Sequence, residues 1–109
     1  MQIPLQITFR GMSPSPAIES LIRERSTRIE RFYDRIIRCH VIVGVPHRHH
    51  KKGRQYAVHL DITTPDSEIV VTRDSGSEDT SQELQAAVRN AFDTATRQLE
   101  DDVRRRRSA

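Results

Sequence analysis

The residues best suited to chemistry in this sequence are the arginines of one N-terminal segment. Arg25, Arg28 and Arg31 recur every three residues, which on a helix forms a ridge about 9 Å long. Guanidinium groups at that spacing can grip successive phosphates, because each presents a fork of N–H donors to a pair of oxygens. Pairing with the neighbouring Glu24 and Glu30 is the alternative use of these side chains. The spacing therefore indicates either a phosphate-binding helix face or a solvated face with internal ion pairs.

A second candidate is the basic segment from residue 47 to 54, of which residues 47–53 read as a polar hairpin loop. It contains His47, His49 and His50, and imidazoles can ligate transition metals. The segment also carries four cations and no acid: Arg48, Lys51, Lys52 and Arg54. These charges would repel a divalent cation, and the sequence nearby offers no acidic group to support one. A phosphate-contacting loop is therefore favoured over a metal site, and a plain solvated hairpin is the other alternative.

Motifs for catalysis are absent from the sequence. There is no G-x-S-x-G, no GxxxxGK[ST] and no GxGxxG, and the four glycines are scattered singly. Cys39 stands among apolar residues of a predicted strand, which favours an inert buried thiol over a nucleophile. No pair of carboxylates has the apolar surroundings that would separate their pKa values. We expect neither an enzyme nor a cofactor nor a small-molecule substrate.

Length and charge restrict the class of protein further. The chain has 109 residues, which suits a single domain with one core. Its 18 Lys and Arg exceed its 15 Asp and Glu by only three. The basic residues, however, cluster in the segments 13–38 and 47–54 and in the terminal arginine run. Contact with phosphates depends on such local concentrations of positive charge. The longest uncharged apolar stretch, Cys39 to Pro46, is too short to span a bilayer. The lone cysteine fits a reducing compartment, so we expect a cytoplasmic protein with no membrane partner.

Hydrophobic periodicity predicts the elements that must hold these residues, in the order β-α-β-β-β-α. The predicted strands are residues 3–9, 39–45, 56–62 and 69–71. The apolar residues of the first helix run from Ile18 to Ile36, and those of the second helix run from Leu84 to Val103. Ser15 and Pro16 predict the start of the first helix, and Thr80 with Glu83 forms a capping box for the second.

The strand pattern also predicts how the layers pack. Alternation gives each strand one wet face, so both helices should cover the other face of a four-stranded sheet in an α+β domain. Ser26 interrupts the apolar stripe of the first helix with a small residue, which predicts close packing there. We place the domain at residues 1–103 and expect the arginine-rich 104–109 segment to be a disordered tail.

The segment from Arg28 to Ile36 resembles a known signature. Its sequence RIERFYDRI is similar to the basic-apolar-Glu-x-aromatic-aromatic-Asp-Arg-Ile pattern of bacterial ribosome hibernation factors, the ribosome-associated inhibitor or protein Y group, in their short form. The first strand, the 56–62 strand and the segments 84–88 and 97–99 match in order and spacing, so the resemblance covers nearly the whole chain. The family fold is β-α-β-β-β-α with both helices on one sheet face, which agrees with the order predicted from periodicity.

The resemblance implies a function and a set of contacts. Family members bind ribosomal RNA in the decoding region of the small subunit, where they block translation and preserve idle ribosomes. The matching RNA contacts here are Arg25, Arg28, Arg31 and Arg97. We add as candidate RNA-binding residues the other helix arginines, Arg23 and Arg89, and the loop cations Arg48, Lys51, Lys52 and Arg54. Thr94, Asp101 and Gln85 depart from the family pattern on the second helix.

Two other classes of function stay open at this point. One is a protein-interaction adaptor on the same fold, with a sigma factor or another regulator as partner. The other is a metal-responsive module using His47, His49 and His50. Since the sequence ends at Ala109, we expect any pairing of ribosomes to need a separate dimerising factor.

Overall fold

The computed structural model describes residues 4–44, 56–74 and 81–108. Within them the chain forms four strands and two helices in the order β-α-β-β-β-α, which confirms the predicted order and the α+β class. The elements are β1 (Leu5–Arg10), α1 (Pro16–Phe32), β2 (Arg38–Gly44), β3 (Ala57–Thr63), β4 (Glu68–Asp74) and α2 (Ser81–Ser108).

The four strands form one sheet in the order β1-β2-β3-β4. β1 runs parallel to β2, with α1 as the crossover between them, whereas β2–β3 and β3–β4 are antiparallel. The register aligns Cys39 with Leu5 on one side and Ile62 on the other, and Ile62 with Ile69. Apolar residues of all four strands therefore share one face.

Both helices lie on that apolar face, as predicted. α2 packs across β3 and β4, while α1 packs beside α2 and against β1. The buried α2 residues include Ala91, Phe92, Ala95 and Leu99, whose alternation of small and large side chains suits close contact with the sheet. Ser26 is buried at the α1 position where close packing was predicted.

Helix α1 begins as predicted but ends earlier. The Ser15 hydroxyl oxygen accepts a hydrogen bond from the Ile18 N–H, and Pro16 occupies the first turn. The helix stops at Phe32; Tyr33 is extended, and its N–H donates to the Ile29 carbonyl at 2.8 Å. Ile36, predicted within the helical stripe, is buried from the connecting segment instead.

Helix α2 is longer than predicted. It continues through Ser108, so residues 104–108 are helical where a disordered tail was expected. Arg105 and Arg106 both pair with the Asp102 carboxylate one turn earlier, and cations in the last turn of a helix also interact favourably with its dipole. In the part of the chain described here, neither helix has an apolar run long enough to cross a membrane. Thr80, half of the predicted capping box, lies outside the described residues.

Candidate nucleic-acid interface

The arginines of α1 differ in how they are held. The Arg25 side chain is largely covered and its Nη1 lies 3.4 Å from Asp93 Oδ1 of α2. Arg28 is 60% exposed and pairs with Glu24 on its own helix at 3.3 Å. Arg31 is exposed, and no ion pair forms with it among the described residues. The ridge therefore combines one cation fixed between the helices with two that project into solvent.

A groove runs between α1 and α2 beside this ridge. One part of it is a small depression of about 170 Å³, lined by Arg25, Arg28, Ile29, Phe32, Phe92, Asp93 and Thr96. Two of the predicted RNA-binding arginines thus face a concave surface to which both helices contribute.

A larger depression of about 570 Å³ lies at the C-terminal ends of both helices. It is lined by Phe32, Tyr33, Asp34, Arg35, Glu100, Val103, Arg104, Arg106 and Arg107. Four of these residues are arginines and two are acids, and Phe32 also lines the smaller depression. The two depressions therefore adjoin at Phe32 and extend the arginine-lined groove to the end of α2.

A cluster of hydrogen bonds fixes the end of α2 beside this larger depression. Arg106 contacts Asp102 on its own helix, Asp66 in the β3–β4 turn at 3.2 Å, and the Tyr33 hydroxyl at 3.5 Å. The Asp102 carboxylate also accepts a hydrogen bond from the Ser67 hydroxyl at 2.9 Å. The cluster joins both helices to the sheet, so Arg106 has a structural role.

These contacts shift the ionisation of both groups. The pKa of Asp102 is lowered, chiefly by the Ser67 hydroxyl and further by Arg105 and Arg106, although burial opposes the shift. The pKa of Arg106 is raised, first by its hydrogen bond to Tyr33 and then by the charges of Asp102 and Asp66. Asp102 is therefore a buried partner of arginines and does not face the groove as a free acid.

The remaining arginines of α2 occupy different positions relative to the groove. Arg97 is exposed, follows the groove residue Thr96, and forms no ion pair among the described residues. Arg89 is half-buried and lies one turn before Asp93. At one departure from the family pattern, Thr94 accepts a hydrogen bond from Arg73 of β4 at 2.9 Å. Neither Arg97 nor Arg89 lines either depression; each lies one helical turn from the groove residue Asp93, Arg89 before it and Arg97 after it.

Arg23 lies apart from the other α1 candidates. It comes two residues before Arg25, which places it about 160° around the helix. Its side chain is 59% exposed and pairs with Glu19 at 2.9 Å. It lines neither depression.

The predicted basic loop lies outside the residues that the structure describes. Its candidate residues are His47, Arg48, His49, His50, Lys51, Lys52 and Arg54. Among the residues that are described, no three His, Cys, Asp or Glu side chains come together as metal ligands.

Cys39 has the environment of a structural thiol. It is buried on the helix-covered face of β2. Burial raises its pKa to about 11, and the nearby Asp61 charge adds to the shift. A thiol of this kind is protonated at neutral pH and is a poor nucleophile.

Comparison with known proteins identifies the family. A model of the family described as sigma 54 modulation protein / S30EA ribosomal protein matches residues 5–107. The chain belongs to this family. The resemblance to ribosome hibernation factors predicted from the RIERFYDRI segment is thereby confirmed, and the match extends into the arginine run that α2 carries.

Solved structures show the same fold at low sequence identity. A ribosomal subunit interface protein from Coxiella burnetii superposes with a TM-score of 0.70 at 21% identity, over 91% of this chain and 96% of the other. The N-terminal domain of Thermus thermophilus Protein Y gives a TM-score of 0.66 at 19% identity, over 93% of this chain and 98% of the other. A search of curated proteins found no match.

Proposed function

We propose that this protein binds ribosomal RNA in the decoding region of the small ribosomal subunit, and that it thereby blocks translation and promotes hibernation of idle ribosomes in the cytoplasm. One observation supports this most strongly. In a member of the S30EA family, arginines from both helices line a single groove along the α1–α2 contact. In this proposal the protein acts by occupying a site on the small subunit, which needs no catalytic group.

The charge arrangement suits an RNA backbone. Arg28 is exposed and lines the groove, whereas Arg31 and Arg97 are exposed and line neither depression. Guanidinium forks bind phosphate oxygens in pairs, so all three could contact a backbone that lies along the helices. The two helices rest on a shared sheet face, so the cations are held on a rigid frame. Recognition of folded RNA by shape and phosphate contacts needs such a frame more than it needs base-specific side chains.

Arg25 has a different part in this proposal. Its guanidinium lies 3.4 Å from the Asp93 carboxylate, its side chain is largely covered, and both residues line the groove. A positioned cation loses less side-chain entropy on binding than a free one. Arg25 would therefore orient a phosphate that Arg28 and Arg31 attract.

Co-sedimentation with separated ribosomal subunits tests the proposal. We expect the protein to pellet with the small subunit and to be released as salt is raised, because phosphate contacts are lost with counterion uptake. Pelleting with the large subunit alone would contradict the proposed site.

A protein partner is the second candidate, because the family description also names modulation of sigma 54. Nuclease treatment separates the two functions. Partners held through RNA are lost after digestion, whereas a sigma factor or other protein partner stays bound. Retention of a single stoichiometric protein partner, with no small-subunit binding, would favour the adaptor.

A further inference from the structure

Phe32 is an exposed aromatic ring among cations. Phe32 is 45% exposed, whereas the adjacent Tyr33 is buried. Among the described residues, the only other exposed large apolar side chains are Ile37 and Val70. Phe32 is the one of the three that lines the α1–α2 groove.

The position of Phe32 in the groove is central. It borders the smaller depression with Arg25 and Arg28, and the larger one with Arg35 and Arg107. A single ring surrounded by guanidinium groups offers too little apolar area for a protein partner. It does offer a flat face for a planar ligand that also carries negative charge.

We propose that Phe32 stacks against an unpaired base of the bound RNA, while the flanking phosphates contact the arginines of the larger depression. This inference rests on the proposed function, because RNA is taken as the partner. Aromatic side chains beside a cationic groove are the usual platform for unstacked nucleotides, and stacking tolerates any base. The chain has too few aromatic residues to bind an extended single strand of RNA through stacking. One exposed aromatic ring is nevertheless enough to stack on one base.

The residues around the larger depression fit the phosphate and sugar of that nucleotide. Arg35 and Arg107 are exposed and form no ion pair among the described residues, so both are available for phosphate oxygens. Asp34 and Glu100 line the same depression, and a carboxylate can accept a hydrogen bond from a ribose hydroxyl or an exocyclic amine. A nucleotide satisfies both kinds of group, whereas a bare polyanion satisfies only the arginines.

Single-tryptophan variants test this inference directly, because the chain has no tryptophan of its own. Phe32→Trp places the reporter in the groove. Ile37→Trp and Val70→Trp are matched controls at positions that are 52% and 49% exposed and line neither depression. On addition of a single-stranded oligoribonucleotide of about eight residues, we expect strong fluorescence quenching in the first variant only. Inorganic polyphosphate, which has charge but no base, should not quench it.

The contribution of the ring is measured with Phe32→Ala and Phe32→Tyr. We expect the alanine variant to bind the oligoribonucleotide about fivefold more weakly or worse, and the tyrosine variant to bind as the wild type does. Equal quenching at all three tryptophan positions, or full affinity in the alanine variant, would overturn the stacking role.

The outcomes keep this inference separate from the proposed function. Wild-type co-sedimentation with small subunits, combined with no quenching of the Phe32→Trp variant, would refute stacking alone. Quenching by RNA without any ribosome binding would refute the proposed function alone. Quenching by free mononucleotides as strong as by the oligoribonucleotide would overturn the assignment to bound RNA and indicate a small nucleotide as the ligand.

Discussion

The guanidinium of Arg25 on α1 lies 3.4 Å from the carboxylate of Asp93 on α2, across the groove between the two helices. The two residues are 68 positions apart in the sequence. Their pairing places a cation and an acid together on the surface proposed to meet RNA phosphates. Electrostatics in the groove therefore depend on Asp93 as well as on the arginines.

Replacing Asp93 by asparagine should strengthen RNA binding. The substitution removes a negative charge from the groove, and the asparagine side-chain oxygen can still accept a hydrogen bond from Arg25, so the guanidinium keeps its position. We expect affinity for small subunits to rise about two- to fivefold, the size of one exposed charge interaction. Glu19→Gln is the control, since it removes a negative charge beside Arg23 on the far side of α1. An equal gain in both variants would mean that net charge alone matters.

Arg28→Glu and Arg23→Glu form a matched pair of charge reversals. Both arginines are on α1, both pair with a glutamate four residues earlier, and their side chains are 60% and 59% exposed. Only Arg28 lines the groove. We expect Arg28→Glu to weaken small-subunit binding about tenfold or more. The slope of log affinity against log salt concentration should also become shallower by about one, because one phosphate contact is lost.

The Arg23→Glu variant should keep most of the affinity. Circular dichroism of both variants checks that α1 is intact. Equal losses in the two variants would contradict the assignment of the groove as the binding surface.

The period-two alternation of β2 and β3 was enough to predict both strands and their buried face. Ser15 and Pro16 likewise predicted the start of α1. Its end was predicted wrongly, because the apolar stripe from Ile18 to Ile36 was taken as helical throughout and placed Phe32 on the buried face. The structure buries Tyr33 and exposes Phe32, an outcome decided by where the chain leaves the helix.

Non-local contacts explain what else the sequence left open. The arginines at 104–107 have the composition of a solvated tail, yet Arg106 is fixed by Asp66 and Tyr33, residues distant in sequence. The three-residue spacing predicted an arginine ridge on α1, and the role of that ridge in RNA binding stays a prediction. The pairing of Arg25 with Asp93 and the depression at the helix ends depend on how α1 and α2 pack, which no local pattern encodes.

Asp102→Asn should destabilise the fold. The carboxylate is buried and accepts hydrogen bonds from Ser67, Arg105 and Arg106. Hydrogen bonds to charged groups are individually worth more than neutral ones, so we expect a loss of about 1–2 kcal/mol in the free energy of unfolding. Urea denaturation measures the loss.

Acid should reduce the difference between Asp102→Asn and the wild type. The pKa of Asp102 is lower in the folded state than its ordinary value of 3.8. Its stabilisation is therefore complete above the unfolded pKa and is lost as pH falls through the folded pKa. A difference that stays constant into strong acid would show that the carboxylate charge contributes nothing.

Alkaline pH should destabilise the protein through Cys39. The folded state holds the thiol protonated, with a pKa of about 11 against an ordinary value of 9.0. The stabilisation is thus complete below the ordinary value and is lost as pH rises through it toward 11. We expect the Cys39→Ala variant to lack this decline, and native protein to react with thiol reagents far more slowly than urea-unfolded protein. Rapid labelling of the native protein would contradict a buried thiol.

Chemical footprinting of ribosomal RNA on isolated small subunits tests the central claim most directly. The account predicts protection of decoding-region nucleotides by the wild-type protein and by Arg23→Glu, and loss of that protection with Arg28→Glu. Protection confined to another region of the subunit, or decoding-region protection unchanged by Arg28→Glu, would contradict it.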